Sequence, residues 1–203
     1  MNIISEQAYS LPAILTAIQE GKTIVYPTET CYGLGCDATN AAAVQQVFAI
    51  KQRQKEKSVL MLMEDIAMAT DYVMWNDTLQ KFARRYWPGP VTFVAYKRED
   101  VWLPEGVIGA DDTLAFRVSS HGVPTAIVSA LKRPLVSTSA NIASHASPYD
   151  VETIIHDFQD QTAQPDIIID AGALPEQMPS TIVRVEESGE WEIMRQGSVI
   201  ITE

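Results

Sequence analysis

What most limits the fold of this chain is its alternation between two hydrophobic periods. Leu11, Ile14, Leu15 and Ile18 recur at helical spacing up to Gly21, and residues 23–26 then read as a strand running into Pro27. Asn40 is placed to cap a second helix whose inner face is Val44, Val47 and Phe48, and residues 59–63 form an apolar run of strand length. Leu79, Phe82, Ala83 and Tyr86 mark a helix stopped at Trp87-Pro88-Gly89-Pro90. Strands over 91–96 and 114–118, a helix over 124–131 and a strand over 135–138 follow. Ser147-Pro148-Tyr149-Asp150 carries the hydroxyl, proline and acid of a helix start, with Ser147 as the cap, and Val151, Ile154, Ile155 and Phe158 continue one face. The last third predicts strands over 167–169, 181–185, 191–194 and 199–201, with Ser188-Gly189 as a hairpin turn. This order predicts an α/β or α+β domain on a mixed sheet.

The balance of 46% hydrophobic and 20% charged residues in 203 positions suits one globular core, so residues 1–203 are expected to be a single domain. The start, Met1-Asn2-Ile3-Ile4-Ser5-Glu6-Gln7, has neither basic nor apolar character, and no apolar stretch approaches the roughly 18–20 residues of a membrane helix. Cys31 and Cys36 read as reduced interior residues, and no metal-ligand spacing occurs. A cytoplasmic protein is the expectation. The net charge of −11 opposes non-specific attraction to nucleic acid and leaves only a local basic cleft for it.

Five segments could carry chemistry. Tyr26-Pro27-Thr28-Glu29-Thr30-Cys31-Tyr32-Gly33-Leu34-Gly35 lies between a strand and a helix, where α/β sheets place ligand loops; it reads equally as a turn with structural glycines. Lys51-Gln52-Arg53-Gln54-Lys55-Glu56-Lys57 gathers four cations, which suit either a solvated helix end or a polyphosphate. Ser137-Thr138-Ser139-Ala140-Asn141 follows an apolar strand and offers hydroxyls for phosphate or ribose, or for a turn. Arg117, inside Leu114-Ala115-Phe116-Arg117-Val118, requires an internal carboxylate or an acidic ligand. Ser180-Thr181 and Arg195-Gln196-Gly197 complete the set. A Gly-x-Ser-x-Gly elbow is absent, and the three histidines read as surface or loop residues. Hydroxyls and cations without an acid–base pair fit a nucleotide substrate, whose chemistry depends on positioning and charge neutralisation.

In this order the segments resemble the YrdC-like threonylcarbamoyl-AMP synthase family, from about Gly21 to Gly197. The likeness is carried by Pro27-Thr28-Glu29-Thr30 with Tyr32-Gly33-Leu34-Gly35, Lys51-x-Arg53, Trp87-Pro88-Gly89-Pro90-Val91-Thr92, Ser137-Thr138-Ser139-Ala140-Asn141 and Ser180-Thr181-Ile182. The resemblance implies a twisted mixed parallel/antiparallel sheet with flanking helices and an open concave cleft. It implies synthesis of threonylcarbamoyl-adenylate and pyrophosphate from L-threonine, bicarbonate and ATP with Mg²⁺, for tRNA modification, with tRNA and the threonylcarbamoyl-transferase machinery as partners. The alternative is a weakly active or non-catalytic RNA-binding paralogue on the same fold. Carried over residue by residue, Arg53, Lys57, Thr113, Ser139, Asn141, Ser147 and Arg195 would meet the nucleotide, with Lys51 and Arg53 as the catalytic pair. Thr28, Thr30, Arg117, Ser137 and Ser180 would surround threonine, with Thr28 and Thr30 as alternatives and Arg117 pairing with the substrate carboxylate. Glu29 has no role assigned by this likeness. The chain departs from the usual pattern at Gln54, Ser119, Ala143 and Gln196, and it is too short for the extra C-terminal domain of the longer form.

Overall fold

The structure is a computed structural model in which residues 1–54 and 58–202 are described. In chain order the elements are β1 (Asn2–Ser5), α1 (Leu11–Gln19), β2 (Ile24–Tyr26), β3 (Gly33–Gly35), α2 (Ala41–Lys51), β4 (Leu60–Leu62), α3 (Ile66–Tyr72), α4 (Asp77–Tyr86), β5 (Val91–Tyr96), β6 (Thr113–Arg117), α5 (Gly122–Leu131), β7 (Leu135–Ser139), α6 (Val151–Phe158), β8 (Ile167–Asp170), β9 (Thr181–Val185) and β10 (Trp191–Arg195). The strands form one open sheet in the order β1-β8-β2-β3-β7-β4-β6-β5-β9-β10. Neighbours run parallel in β1/β8, β8/β2, β4/β6 and β5/β9, and antiparallel elsewhere. This is the mixed, helix-flanked sheet that the alternating periods predict. No described helix is long and apolar enough to cross a membrane.

Four described helices begin on an Asn or Asp side-chain cap, and α5 begins on His121, whose Nδ1 accepts from Val123 N (3.3 Å). Asn40, Asp65, Asn76 and Asp150 accept from the backbone N–H groups of Ala43, Met68, Leu79 and Thr153. The last corrects the expectation for Ser147: the Asp150 carboxylate, 2.7 Å from Thr153 N, caps α6, and Ser147 is left in the preceding loop. Residues 199–201 form no strand. Both backbone polar groups of Val199 meet Thr181 Oγ1 instead, and Ile201 tucks into the core.

Side-chain parity along the strands places the site. Leu34, Met61, Phe93, Phe116, Val136, Ile168 and Val183 share one face, and with α2, α4 and α6 they form the main core. The opposite face is covered by α1 and α5 only over Ile24, Tyr26, Leu62, Leu135 and Ile169. Beyond that cover the same parity continues as Leu60, Ser137, Ala115, Arg117, Thr92, Val94 and Ile182, and there the sheet is bare. A concave cleft results because two helices cover only part of that face of the sheet.

Strand β3 is possible only because two of its three residues lack a side chain. A Cβ on Gly35 would lie 1.9 Å from Val136 O, and about 3.0 Å from Tyr26 Oη. The Tyr26 ring lies against both glycines, and its hydroxyl donates to Val136 O (3.0 Å). Gly35→Ala is therefore expected to yield little folded protein. A variant that expresses solubly with an unchanged melting temperature would contradict this packing.

Candidate functional site

A cavity of about 500 Å³ occupies the bare face, in the range of ligand sites. Its wall draws on every segment singled out from the sequence: Thr28 and Thr30, Arg53, Arg117, Ser137 and Ser139, Ser147, Ser180 and Arg195. Residues up to 167 positions apart in the chain, Thr28 and Arg195, share one wall because β3, β7, β4, β6, β5 and β9 are consecutive in the sheet.

The β2–β3 loop separates the two threonines. Thr28 is buried, its hydroxyl donates to Cys31 O (2.7 Å) and accepts from Thr30 N (3.1 Å), so it holds the turn. Thr30 Oγ1 lies 3.0 Å from Thr28 Oγ1. With the Thr28 proton on Cys31 O, Thr30 donates to Thr28 and keeps lone pairs for a donor in the cavity. The Cys31 thiol also lines the wall, and burial raises its pKa against the opposing effect of Arg117.

Three guanidinium groups face this space. Arg53 Nη2 donates to Ser58 O (3.0 Å), while its Nε is buried without a partner. Arg195 is laid along Ser180: Nε and Nη2 reach Ser180 O (3.2 and 2.9 Å), and Nη2 reaches Ser180 Oγ (3.2 Å), itself 2.9 Å from Thr92 Oγ1. Burial lowers the pKa of both Arg53 and Arg195, and Arg117 adds to the effect at Arg195. Such groups are cations short of an anion.

Arg117 differs, and here the expectation is corrected. Its partner is internal: Nη1 lies 3.2 Å from Glu29 Oε1, with side chains only 4% and 14% exposed. Glu29, without a role in the sequence reading, is the counter-ion, and Ser119 Oγ donates to its other oxygen. The substrate carboxylate therefore cannot be the sole partner of Arg117.

Lys51 is also corrected. It is 3% exposed rather than part of a solvated run, and Nζ donates to Ser139 O (2.6 Å), Asn141 O (3.0 Å) and Asn141 Oδ1 (2.9 Å). All three N–H bonds are taken, so none is free for phosphate; Lys51 positions the Ser139–Asn141 turn and does not itself face the cavity. Burial, then the nearby Arg53 charge, pushes its pKa down to about 8. Asn141 is saturated too, accepting from Ser139 Oγ (2.7 Å) and donating to His145 O and Ala146 O. Both residues line an adjoining hollow of about 470 Å³ that shares Arg53, Ser139 and Ser147 with the main cavity. Thr113 is buried on β6 outside the cavity wall and gives its proton to Asp111 Oδ1 (2.7 Å). Lys57 lies outside the described residues.

Among the wall residues that the sequence reading missed are Thr92, Val94, Ile182, Tyr149 and Met194. The first three share strand parity with Arg117, a signal that becomes readable once β5 and β9 are paired with β6. Among the described residues no group of three His, Cys, Asp or Glu could hold a metal ion. Glu29, the acid beside the cavity, is committed to Arg117 and Ser119. These residues do not fit a resident divalent cation.

A family model named for Sua5, YciO and YrdC, with the description telomere recombination, matches residues 16–197. The chain belongs to the Sua5/YciO/YrdC family. Among solved structures, this family member is similar to a double variant of P. abyssi Sua5, with 28% identity over 96% of this chain and 60% of that one and a TM-score of 0.86. It is also similar to P. abyssi Sua5 complexed with L-threonine, with 27% identity over 97% and 57% of the two chains and a TM-score of 0.85. E. coli YciO, at 24% identity over 97% and 94% with a TM-score of 0.80, shares the fold. The chain thus spans about 60% of the length of the Sua5 chains it matches.

Proposed function

We propose that this family member forms L-threonylcarbamoyl-adenylate and pyrophosphate from L-threonine, bicarbonate-derived CO₂ and ATP, supplying an activated carbamate for threonylcarbamoylation of adenosine in tRNA. The observation that carries the reading is the convergence of three arginines and ten hydroxyl-bearing residues on one cavity in a chain similar to a Sua5 complexed with L-threonine. Two unlike sets of lining residues would define the two ends of the cavity. Arg53 and Arg195 provide cations and Ser147 a hydroxyl, without a carboxylate, which suits a triphosphate, and Ser139, whose proton goes to Asn141 Oδ1, keeps lone pairs for a ribose hydroxyl. Thr30, Ser137 and the neutralised Arg117 suit a zwitterionic amino acid, the Thr30 lone pairs facing its amine and the guanidinium its carboxylate.

In the proposed reaction the neutral amine of threonine attacks CO₂; the new N–C bond gives a carbamate as a nitrogen proton leaves. A carbamate oxygen then attacks the α-phosphorus, a P–O bond forms, and the bond to the bridging oxygen breaks with pyrophosphate as the leaving group. Arg53 and Arg195 stabilise charge accumulating on the phosphates, and the turn held by Lys51 fixes Ser139. The expected result is pyrophosphate release only when ATP, L-threonine and bicarbonate are present together, with product mass matching the mixed anhydride. Equal release without threonine would end this reading. L-Serine is expected to react more slowly but measurably, since one methyl group discriminates by only about 1–3 kcal/mol.

A further inference from the structure

The pair behind the amino-acid end has an unusual construction. Glu29 stands outside the cavity wall, in contact with Arg117, which lines it. One carboxylate oxygen accepts from Ser119 Oγ, and that same hydroxyl oxygen accepts from His121 N (3.2 Å), so the acid is held through the oxygen that does not meet the arginine. The other oxygen approaches Arg117 Nη1 to 3.2 Å yet has no aligned hydrogen bond, and the buried Arg117 Nε has no partner at all. The guanidinium is therefore neutralised in charge while donors remain unused. Arg53 and Arg195, by contrast, have no carboxylate within ion-pair distance among the described residues.

We propose that Glu29 is a specificity-determining positioning residue: by neutralising Arg117 from behind, it makes this end of the cavity accept a single carboxylate and reject phosphate. The proposal rests on the preceding reading that Arg117 meets the threonine carboxylate. Its physical basis is charge. A polyphosphate is drawn to every uncompensated cation within reach, and three free arginines on one wall would let it spread across the amino-acid end. With Glu29 in place, that end has a near-zero net charge and oriented N–H donors, which favour a zwitterion whose ammonium and carboxylate also cancel.

The test is calorimetric titration of the full chain with L-threonine, ATP and inorganic pyrophosphate, comparing wild type with Glu29→Gln and Ser119→Ala. Glu29→Gln is expected to weaken threonine binding ten- to a hundredfold, leave ATP within about threefold, and make pyrophosphate a competitor of threonine, which it is not in the wild type. A merely structural acid would not produce that new competition. Threonine binding within twofold of wild type, or no gain of competition, overturns the proposal and leaves the functional reading intact. Wild-type protein that binds ATP but no threonine overturns the functional reading itself, and this inference with it. If Glu29→Gln does not fold, Ser119→Ala decides: at least a threefold loss of threonine affinity with unchanged ATP affinity supports the role of the pinned acid, and no loss overturns it.

Discussion

Replacing Arg117 with alanine is expected to destabilise the protein by about 3–5 kcal/mol, because it leaves the Glu29 carboxylate buried without its counter-ion. In a chain of this length that corresponds to a fall in melting temperature of roughly 6–20 °C. Replacing both partners, as in Glu29→Met with Arg117→Met, is expected to recover most of that loss, since apolar residues of similar length remove the unpaired charge. The double variant should still fail to bind threonine. Thermal denaturation followed by calorimetry separates the two effects: a single Arg117→Ala variant within 1 kcal/mol of wild type would show that the pair contributes little, and a double variant that binds threonine normally would remove Arg117 from the site.

Lys51→Met is expected to have an effect of similar size for a different reason. The variant keeps the bulk but leaves Ser139 O, Asn141 O and Asn141 Oδ1 without the donor that now joins them. Asn141 O is orphaned, while Ser139 O and Asn141 Oδ1 keep one partner each, Asn141 N and Ser139 Oγ, but lose a charge-assisted bond. An orphaned buried acceptor alone costs about 1–3 kcal/mol, so a loss of about 3 kcal/mol is expected, together with weaker ATP binding as the Ser139 turn loosens. The pH dependence has a definite sign. The folded pKa of about 8 lies below the ordinary lysine value, so the unfolded chain binds the extra proton between about pH 8 and 10.4. Relative to Lys51→Met, wild-type stability should therefore gain with pH across that window, while ATP affinity should fall as the ammonium loses a proton. Parallel stability slopes for the two proteins from pH 8 to 10 would contradict the buried, shifted lysine.

Local signals in the sequence carried the element types well, because helix caps and strand parity are local properties. The Asn40 cap, the stop at Trp87 and the apolar strand around Arg117 all needed only neighbours in the chain. Strand β3 did not show: Gly33-Leu34-Gly35 has poor intrinsic strand preference and forms because β2 and β7 close on it with the Tyr26 ring lying against it. Ser147 imitated a cap because hydroxyl and proline stand in the right order, yet Asp150 makes the stronger, charge-assisted bond. At the site, residue identity was legible and partnership was not. The sequence demanded an anion for Arg117 but could not choose between a ligand and Glu29, which lies 88 positions away. Lys51 looked solvated because the carbonyls that enclose it come from a turn some 90 residues downstream.

The alternation by which each central strand serves core and cleft on opposite faces sets limits on how such a protein can change over generations. Within β6, Phe116 packs against Trp87 and Phe93 while Arg117 faces the cavity. Exchange of one cleft residue for another leaves that division intact, so the lining is open to gradual modification. Loss or gain of a single codon inside β5, β6 or β7 would instead turn every subsequent side chain of the strand over, sending a guanidinium into the aromatic core and a phenyl ring into the cleft. Length variation should therefore be confined to the connecting loops, and a library of one-residue deletions scored for folded protein should show the three strands as intolerant blocks between permissive turns.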